Sequence, residues 1–137
     1  MFFPPRRCSA VILALMLSPL VVAARAQEPN CDNAQTQLDM TQCAAREYEA
    51  ADKALNAQYA AVRKRYSDNE DARKLLRDAQ RAWIGFRDAQ CDLETLAVRG
   101  GSIEPMIRAQ CLQRLTEART KELAVLAQCE EGDLSCV

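Results

Sequence analysis

The cysteines are the residues of this 137-residue chain whose type and spacing indicate a definite chemistry. Six of them are spread along the last 107 residues, and a seventh, Cys8, lies near the N-terminus. The six are Cys31, Cys43, Cys91, Cys111, Cys129 and Cys136. An even number of cysteines in a short chain of an oxidising compartment predicts a disulfide framework, here of three bonds. Because the chain has no histidine and no closely spaced pair of the zinc-finger kind, we expect no metal site and no cofactor.

The residues needed for catalysis are missing or poorly placed. Nucleophilic triads of the usual kind lack their base, because the chain contains no histidine. Asp52 and Asp88 are the best candidates for paired carboxyl groups, but we expect an arginine beside each, which lowers a carboxyl pKa. There is also no glycine-rich loop of the phosphate-binding kind. We therefore expect a binding or structural protein and not an enzyme.

The segment AQRAWIGFRDAQC, residues 79–91, contains the one tryptophan of the chain between two arginines. Its helical spacing places Trp83 and Phe86 on an apolar stripe, so we expect both in the core. A structural core with a polar network is predicted from residues of all three helices: Asp52, Leu55, Asn56, Tyr59, Trp83, Phe86, Arg87 and Arg119. In it Asp52 or Asn56 bonds the indole N–H, Arg87 pairs with Asp52, and Gly85 allows a neighbouring helix to approach. The alternative is an exposed platform on which carbohydrate or peptide stacks.

The first 26 residues are typical of a signal peptide. Arg6 and Arg7 precede an apolar run, and Ala24-Arg25-Ala26 supplies the small residues read by a signal peptidase. A membrane anchor is the weaker alternative, because the run is short and contains Pro19. We therefore expect residues 1–26 to be removed, no membrane span thereafter, and a periplasmic or secreted protein.

The charge of the remaining 27–137 is mildly acidic. Three of the 18 basic residues lie in the leader and all 19 acidic residues follow it, so the net charge is −4. We therefore expect no nucleic-acid partner.

The apolar spacing after the leader predicts three helices and no strands. Apolar residues recur every three or four positions over 36–66, over 71–98 and again up to Gln128. SDNED at 67–71 and RGGS at 99–102 provide the breaks, with Ser102 as the cap and Pro105 in the first turn of the third helix. The expected fold is all-α, a disulfide-stapled antiparallel three-helix bundle with two long helices and a short disulfide-closed tail.

Helix rise brings three cysteines to one height in such a bundle. Cys43, Cys91 and Cys111 become level, and the leading segment can bring Cys31 there too. Cys129 and Cys136 are expected to pair within the tail. For the other four, three pairings are open; we favour Cys31 with Cys91 and Cys43 with Cys111, which join separate helices.

The second turn, VRGGSIEP at 98–105, is the predicted site of partner binding. It is a projecting loop beside the cysteines, with two glycines, a hydroxyl group and an apolar side chain. The candidate contact residues are Arg99, Gly100, Gly101, Ser102, Ile103 and Glu104. The alternative is that this loop does no more than end one helix and begin the next.

Four motifs resemble the LprI-type lysozyme inhibitor N-terminal domain family. They are the pair Cys31 and Cys43, then AADKALNAQY, then LLRDAQRAWIGFRDAQC, then RGGSIEPMIRAQCLQRLTEARTKEL, and together they span Cys31 to about Leu126. The positions that carry the resemblance are Asp52, Leu55, Asn56, Tyr59, Gln80, Arg81, Trp83, Arg87, Asp88, Cys91, Gly100, Gly101, Ser102, Cys111, Thr116 and Arg119. Cys129 and Cys136 lie beyond the four cysteines of the pattern.

The resemblance implies a small exported helical protein that inhibits lysozyme or another muramidase and so protects the cell envelope. The family's founding type is a membrane-anchored lipoprotein, whereas Cys31 follows Glu28-Pro29-Asn30 and lacks an acylation signal. An envelope-stress or assembly adaptor without lysozyme activity is the alternative function, and it predicts an exposed apolar patch. Binding of peptidoglycan fragments at an exposed Trp83 is a third.

Overall fold

A computed structural model describes residues 28–128, 130 and 132 of the chain. Three α-helices follow a short 3-10 turn at Cys31–Asn33: α1 is Gln37–Arg65, α2 is Glu70–Glu94 and α3 is Glu104–Gln128. This confirms the all-α, three-helix fold. The predicted leader and the predicted Cys129–Cys136 bond lie outside the described residues. Within the described part, no helix is long and apolar enough to cross a membrane.

Short polar side chains set where α1 and α2 begin. The Thr36 hydroxyl accepts a hydrogen bond from the Asp39 N–H at 3.0 Å, and the Asn69 side chain accepts one from the Ala72 N–H at 2.9 Å. Each bond satisfies an amide that has no partner within its own helix. The end of α2 differs from the prediction, because a 3-10 turn replaces the helix at Leu96–Val98.

The helices run up, down and up. Gln37 at the start of α1 contacts Met106 at the start of α3, and Val62 near the end of α1 shares a cluster with Leu123 near the end of α3. Thus α1 and α3 are parallel, and α2 is antiparallel to both. The backbones of α1 and α3 approach most closely. Small buried residues, among them Ala44, Ala51 and Ala109, allow that approach.

The main apolar core lies at the end of the bundle that holds the α1–α2 turn. It is built from large side chains of all three helices, with Tyr59, Trp83, Leu126 and Ala127 packed against its edge. Its buried members are Leu55, Val62, Tyr66, Ala72, Leu76 and Leu123. The predicted core positions Leu55 and Tyr59 are therefore in or against this core.

Two disulfides lie toward the opposite end, and their pairing corrects the prediction. The bonds are Cys31–Cys43 and Cys91–Cys111, with Cα–Cα distances of 5.6 and 5.7 Å. The expected pairs Cys31–Cys91 and Cys43–Cys111 are wrong. The leading segment folds back on α1, where the Arg46 guanidinium donates to the Pro29 carbonyl at 2.9 Å, so Cys31 meets Cys43 before it reaches α2. Cys91 and Cys111 are level, as predicted, and join α2 to α3.

One face of α2 remains exposed although the sequence predicts it to be core. Phe86 is 56% exposed, and Leu75 and Leu93 are 63% and 65% exposed. The helix buries a different face, which carries Leu76 and Cys91. Leu75 and Leu76 are about 100° apart around the helix axis, so α2 has two apolar faces and the bundle covers one. The prediction that Phe86 is a core residue is wrong.

Candidate functional site

The turn between α2 and α3 is a compact structure built around Gly100. Gly100 has a φ of +78°, a backbone conformation that side chains with a Cβ rarely adopt. Its N–H donates to the Glu104 carboxylate, which lies in the first turn of α3. The Gly101 N–H donates to the Val98 carbonyl at 2.9 Å. The backbone N–H groups of both glycines are thus bonded within the turn, which restricts its conformation.

A glycine is required at position 101 because there is no space for a Cβ. A Cβ built on Gly101 would lie 3.0 Å from the Val98 carbonyl oxygen, closer than two such atoms normally come. The Glu104 N–H donates to the Gly101 carbonyl at 3.1 Å, and α3 begins at Glu104. Ile103, and not Ser102 as predicted, therefore occupies the position before the first helical residue, while Pro105 lies in the first turn as expected.

Covalent and ionic links hold the turn on both sides. The Cys91–Cys111 bond joins two residues that are 20 positions apart, one on each side of the turn. Arg108 on α3 pairs with Asp92 on α2 at 3.0 Å. Arg114 on α3 pairs with Glu94 on α2 at 2.8 Å. Hydrogen bonds from Gln90 and from Arg114 lower the pKa of the Glu94 carboxyl below its ordinary value of 4.5. The turn is therefore carried on a braced pair of helices.

The tip of this turn presents a small mixed surface to solvent. Arg99, Gly100, Gly101 and Ser102 are exposed, Ile103 is 37% exposed, and Glu104 is half-buried beneath them. The structure thus brings the six predicted contact residues together in one projection. A guanidinium, a hydroxyl and an apolar side chain on a fixed backbone suit contact with a protein cleft better than they suit catalysis.

A second cluster surrounds Arg87, which is only 9% exposed. Its guanidinium lies 5.2 Å from the centre of the Trp83 ring and 5.8 Å from the centre of the Tyr48 ring on α1. It also pairs with Asp88 at 2.8 Å. Trp83 is half-buried and covered by this guanidinium, so it is an edge residue of the core and not its centre.

Several predicted contacts of that cluster are wrong. Asp52 accepts a hydrogen bond from Asn56 on its own helix at 2.8 Å, so Asp52 is not the partner of Arg87. Asn56 is exposed, and no helix packs on Gly85, because a Cβ added there would have no atom within 4 Å. Arg119 reaches this level of the bundle but bonds Gln80 at 3.3 Å and Glu122 at 2.7 Å. Asp52 and Asn56 bond each other on one helix, whereas Arg119 bonds Gln80 on α2 and Glu122 on its own helix, and helix levels alone do not predict these partners.

The exposed apolar face of α2 is a surface that the sequence analysis did not predict. It carries Leu75, Ala79, Ala82, Phe86, Ala89 and Leu93, all exposed, which we call the outer row. The signal was present in the sequence, since these residues are spaced by four, three, four, three and four positions. Leu76 and Trp83 directly follow two residues of this row in the sequence, so the spacing alone does not separate the buried face from the exposed one.

The described residues offer nothing that resembles a metal centre. No group of three or more His, Cys, Asp or Glu residues in this part of the chain is placed to hold an ion. The four described cysteines are all in disulfides.

Comparison with known proteins places this arrangement among known relatives. An uncharacterised protein of Rhizobium meliloti (strain 1021) is 41% identical over 138 residues, covering 92% of this chain and 99% of the relative. The crystal structure of a DUF1311 family protein from Pseudomonas putida KT2440 superposes with a TM-score of 0.64 at 23% identity, over 72% of this chain and all of the other. The latter likeness concerns the fold alone.

The family comparison covers both disulfides, the braced turn and most of α3. Residues 29–123 match the family described as "Lysozyme inhibitor LprI". The matched region therefore contains nearly all of the three-helix bundle. The chain belongs to the lysozyme inhibitor LprI family.

Proposed function

We propose that this protein is an exported inhibitor of lysozyme or another muramidase, and that the turn at 98–105 enters the enzyme's substrate cleft. The observation that carries the proposal is the fixed conformation of that turn. Gly100 and Glu104 hold it internally, and the Cys91–Cys111 bond anchors it. A loop that is already ordered loses little conformational entropy when it binds, so more of its contact energy appears as affinity.

The chemistry of the tip fits the chemistry of such a cleft. Glycoside hydrolases commonly act with two carboxyl groups that flank the scissile bond. Arg99 is exposed at the tip, and a guanidinium pairs with carboxylates through two parallel hydrogen bonds. An arginine bound there would hold the catalytic acid in its ionised form and exclude sugar. Ser102 and Ile103 would contact the walls of the cleft.

The charge of the whole protein supports the encounter. Residues 27–137 have a net charge of −4, whereas animal lysozymes are basic. Opposite net charges raise the association rate, an effect that weakens with added salt. The disulfides fit an oxidising location outside the cytoplasm, where a muramidase would be met.

The test is a titration of the oxidised protein into an animal-type lysozyme that is digesting isolated peptidoglycan. We expect a saturable loss of lysis that disappears when the disulfides are reduced. The variant Ser102→Arg with Ile103→Asp, and separately Arg99→Glu, should weaken inhibition at least tenfold. Ser67→Arg is the matched control, because Ser67 is exposed in the turn at the other end of the bundle.

Two results would reject this proposal at different levels. Full inhibition by both 99–103 variants, each shown to be folded, would mean that the turn is not the contact. No inhibition of any tested animal or bacterial muramidase by the folded, oxidised protein would reject the function itself.

An assembly or envelope-stress adaptor is the second candidate function, and one observation favours it. Such a protein needs an exposed apolar patch, and the outer row of α2 is one. The discriminating measurement is suppression of aggregation of unrelated unfolded proteins at equimolar ratio. Suppression that Phe86→Glu abolishes, together with no effect on lysozyme, would favour the adaptor.

A further inference from the structure

We propose that the outer row of α2 is the contact between two copies of this chain, which pair through their α2 helices in antiparallel orientation. This inference goes beyond the proposed function and does not depend on it. The starting observation is a solvent-exposed row of six apolar residues that extends from Leu75 to Leu93, about 27 Å along the helix axis. Phe86 and the two leucines are more than half exposed.

The spacing of the row points to a helix as its partner. Leu75, Ala82 and Ala89 repeat every seven residues, and so do Ala79, Phe86 and Leu93. Alternating steps of three and four residues form the seam along which two helices pack side by side. A globular protein or an unfolded client requires no such regularity.

The order of large and small side chains points to a second copy in antiparallel orientation. With the two-fold axis at the height of position 84 along the helix, Leu75 of one copy meets Leu93 of the other. In the same register Ala79 meets Ala89, and Ala82 meets Phe86. Leucines thus pair at both ends, the small residues allow close approach, and each phenylalanine faces an alanine. The row is therefore complementary to the same row of a second copy in antiparallel orientation.

A groove adjoins the N-terminal end of the row. A cavity of about 180 Å³ opens between α2 and α3, lined chiefly by apolar side chains that include Leu75, Ala79 and Leu126. The antiparallel register brings Leu93 of the second copy to Leu75, at this groove. By symmetry the same contact forms twice, once at each end of the paired helices.

Gly85 lies within one residue of the proposed axis. A glycine inside a helix lowers helix stability relative to alanine. Among the described residues nothing packs against Gly85, since a Cβ added there would have no atom within 4 Å. Two helices that cross at this point can come closer because the Cβ is absent.

The size of the contact is sufficient for a specific but weak dimer. Covering the row, the groove and their flanks buries on the order of 1,000 Å² over the two copies, the lower limit for a specific interface. We therefore expect dissociation in the micromolar range, with monomer and dimer both present at accessible concentrations.

Analytical ultracentrifugation of the oxidised protein, expressed from its complete coding sequence, tests the proposal between about 1 and 500 µM. We expect a monomer–dimer equilibrium in the wild type. Phe86→Glu should weaken dimerisation at least tenfold while circular dichroism shows an unchanged helical fold, because Phe86 is exposed. Ile84→Glu is the matched control: Ile84 is 40% exposed on the same helix but lies off the row, so it should dimerise as the wild type does.

A second variant separates docking from folding. Gly85→Gln should stabilise the helix of each monomer and yet weaken the dimer, since the added side chain blocks close approach. A spin label at position 70 then tests orientation: the two labels should be about 40 Å apart along the axis in the antiparallel dimer and much closer in a parallel one.

Each contrary result overturns the proposal. If the wild type remains monomeric at the highest concentration, a second copy is not what covers the row. The same holds if the row of a monomeric wild type is covered by lysozyme or by an unfolded client. A dimer that Phe86→Glu and Gly85→Gln leave intact has its contact elsewhere. A short distance between the labels excludes the antiparallel pair.

Discussion

The guanidinium of Arg87 lies against two aromatic rings from different helices, Trp83 on α2 and Tyr48 on α1. Each cation–π contact stabilises by about 0.5–2 kcal/mol, more where water is excluded. The aliphatic part of the side chain also fills space between the helices. Arg87 therefore acts mainly as a packing residue that links α2 to α1, although its charge is matched by Asp88.

Replacing this side chain should weaken the bundle. We expect Arg87→Ala to lower the free energy of unfolding by about 2 kcal/mol, because both ring contacts and the buried stem are lost. Urea unfolding followed by circular dichroism measures the change. Arg77→Ala, at an exposed position of the same helix, should change stability by less than about 0.5 kcal/mol. Equal effects of the two substitutions would refute the assignment of Arg87.

Thr116 is fully buried in α3, and its hydroxyl has no hydrogen-bond partner among the described residues. Other helical threonines, such as Thr41 and Thr120, donate to the carbonyl four residues earlier at 2.8 Å. An unpaired buried hydroxyl costs about 1–3 kcal/mol, so Thr116→Val should raise the free energy of unfolding by about 1 kcal/mol. Thr120→Val is the control and should not raise it. A destabilised Thr116→Val protein would show that this hydroxyl is bonded in solution.

At the scale of elements, we expect the link between α2 and α3 to weaken in acid. The pKa of Glu94 is lowered in the folded state by hydrogen bonds from Gln90 and from Arg114. A carboxyl whose folded pKa is depressed contributes stability above its unfolded pKa, and this contribution is lost as the pH falls through the folded value. Stability should therefore decline as the pH falls below about 4.5, the ordinary value.

The corresponding measurement is thermal unfolding of the wild type and of Glu94→Gln as a function of pH. The variant should be slightly less stable at neutral pH and should lose less stability on acidification. Asp78→Asn provides a comparison on the exposed face, because the hydrogen bond from Lys74 lowers the pKa of Asp78. If Glu94→Gln has the same pH dependence as the wild type, the Arg114–Glu94 pair does not persist in solution.

The elements themselves were predictable from local signals, and the packing between them was predictable only in part. Thr36 and Asn69 mark helix starts by their own side-chain bonds, and Gly100 marks a turn, so helix positions follow from neighbouring residues. The choice between Leu75 and Leu76 as the buried leucine depends on where α1 and α3 lie. Likewise, the Cys31–Cys43 pairing depends on the leading segment turning back, which helix levels do not describe.

At the scale of the molecule, the bundle is held together differently at its two ends. Large apolar side chains fill the end near the α1–α2 turn. The two disulfides of the described residues, and small buried residues such as Ala44 and Ala109, lie toward the other end. A bundle of this size has a limited apolar core, so the cross-links supply a substantial share of its stability.

The two disulfides should contribute unequally. Cys91→Ala with Cys111→Ala should lower the free energy of unfolding by about 3 kcal/mol, because that bond joins two helices and both cysteines are buried. Cys31→Ala with Cys43→Ala should cost less, since Cys31 is exposed and the bond ties only the leading segment to α1. Denaturant unfolding of the two double variants decides the order, and equal losses would contradict it.

The Cys91–Cys111 bond also spans the exposed turn between α2 and α3. Exposed loop tips are the preferred sites of proteolytic cleavage, and the bond after Arg99 is an exposed peptide bond of the kind that trypsin-like enzymes cut. A cut there leaves α3 covalently attached to α2 through the disulfide, and to α1 through their shared packing. The nicked chain would move as one species on a gel without reductant and as two fragments with reductant. The bundle would remain folded after its backbone is cut.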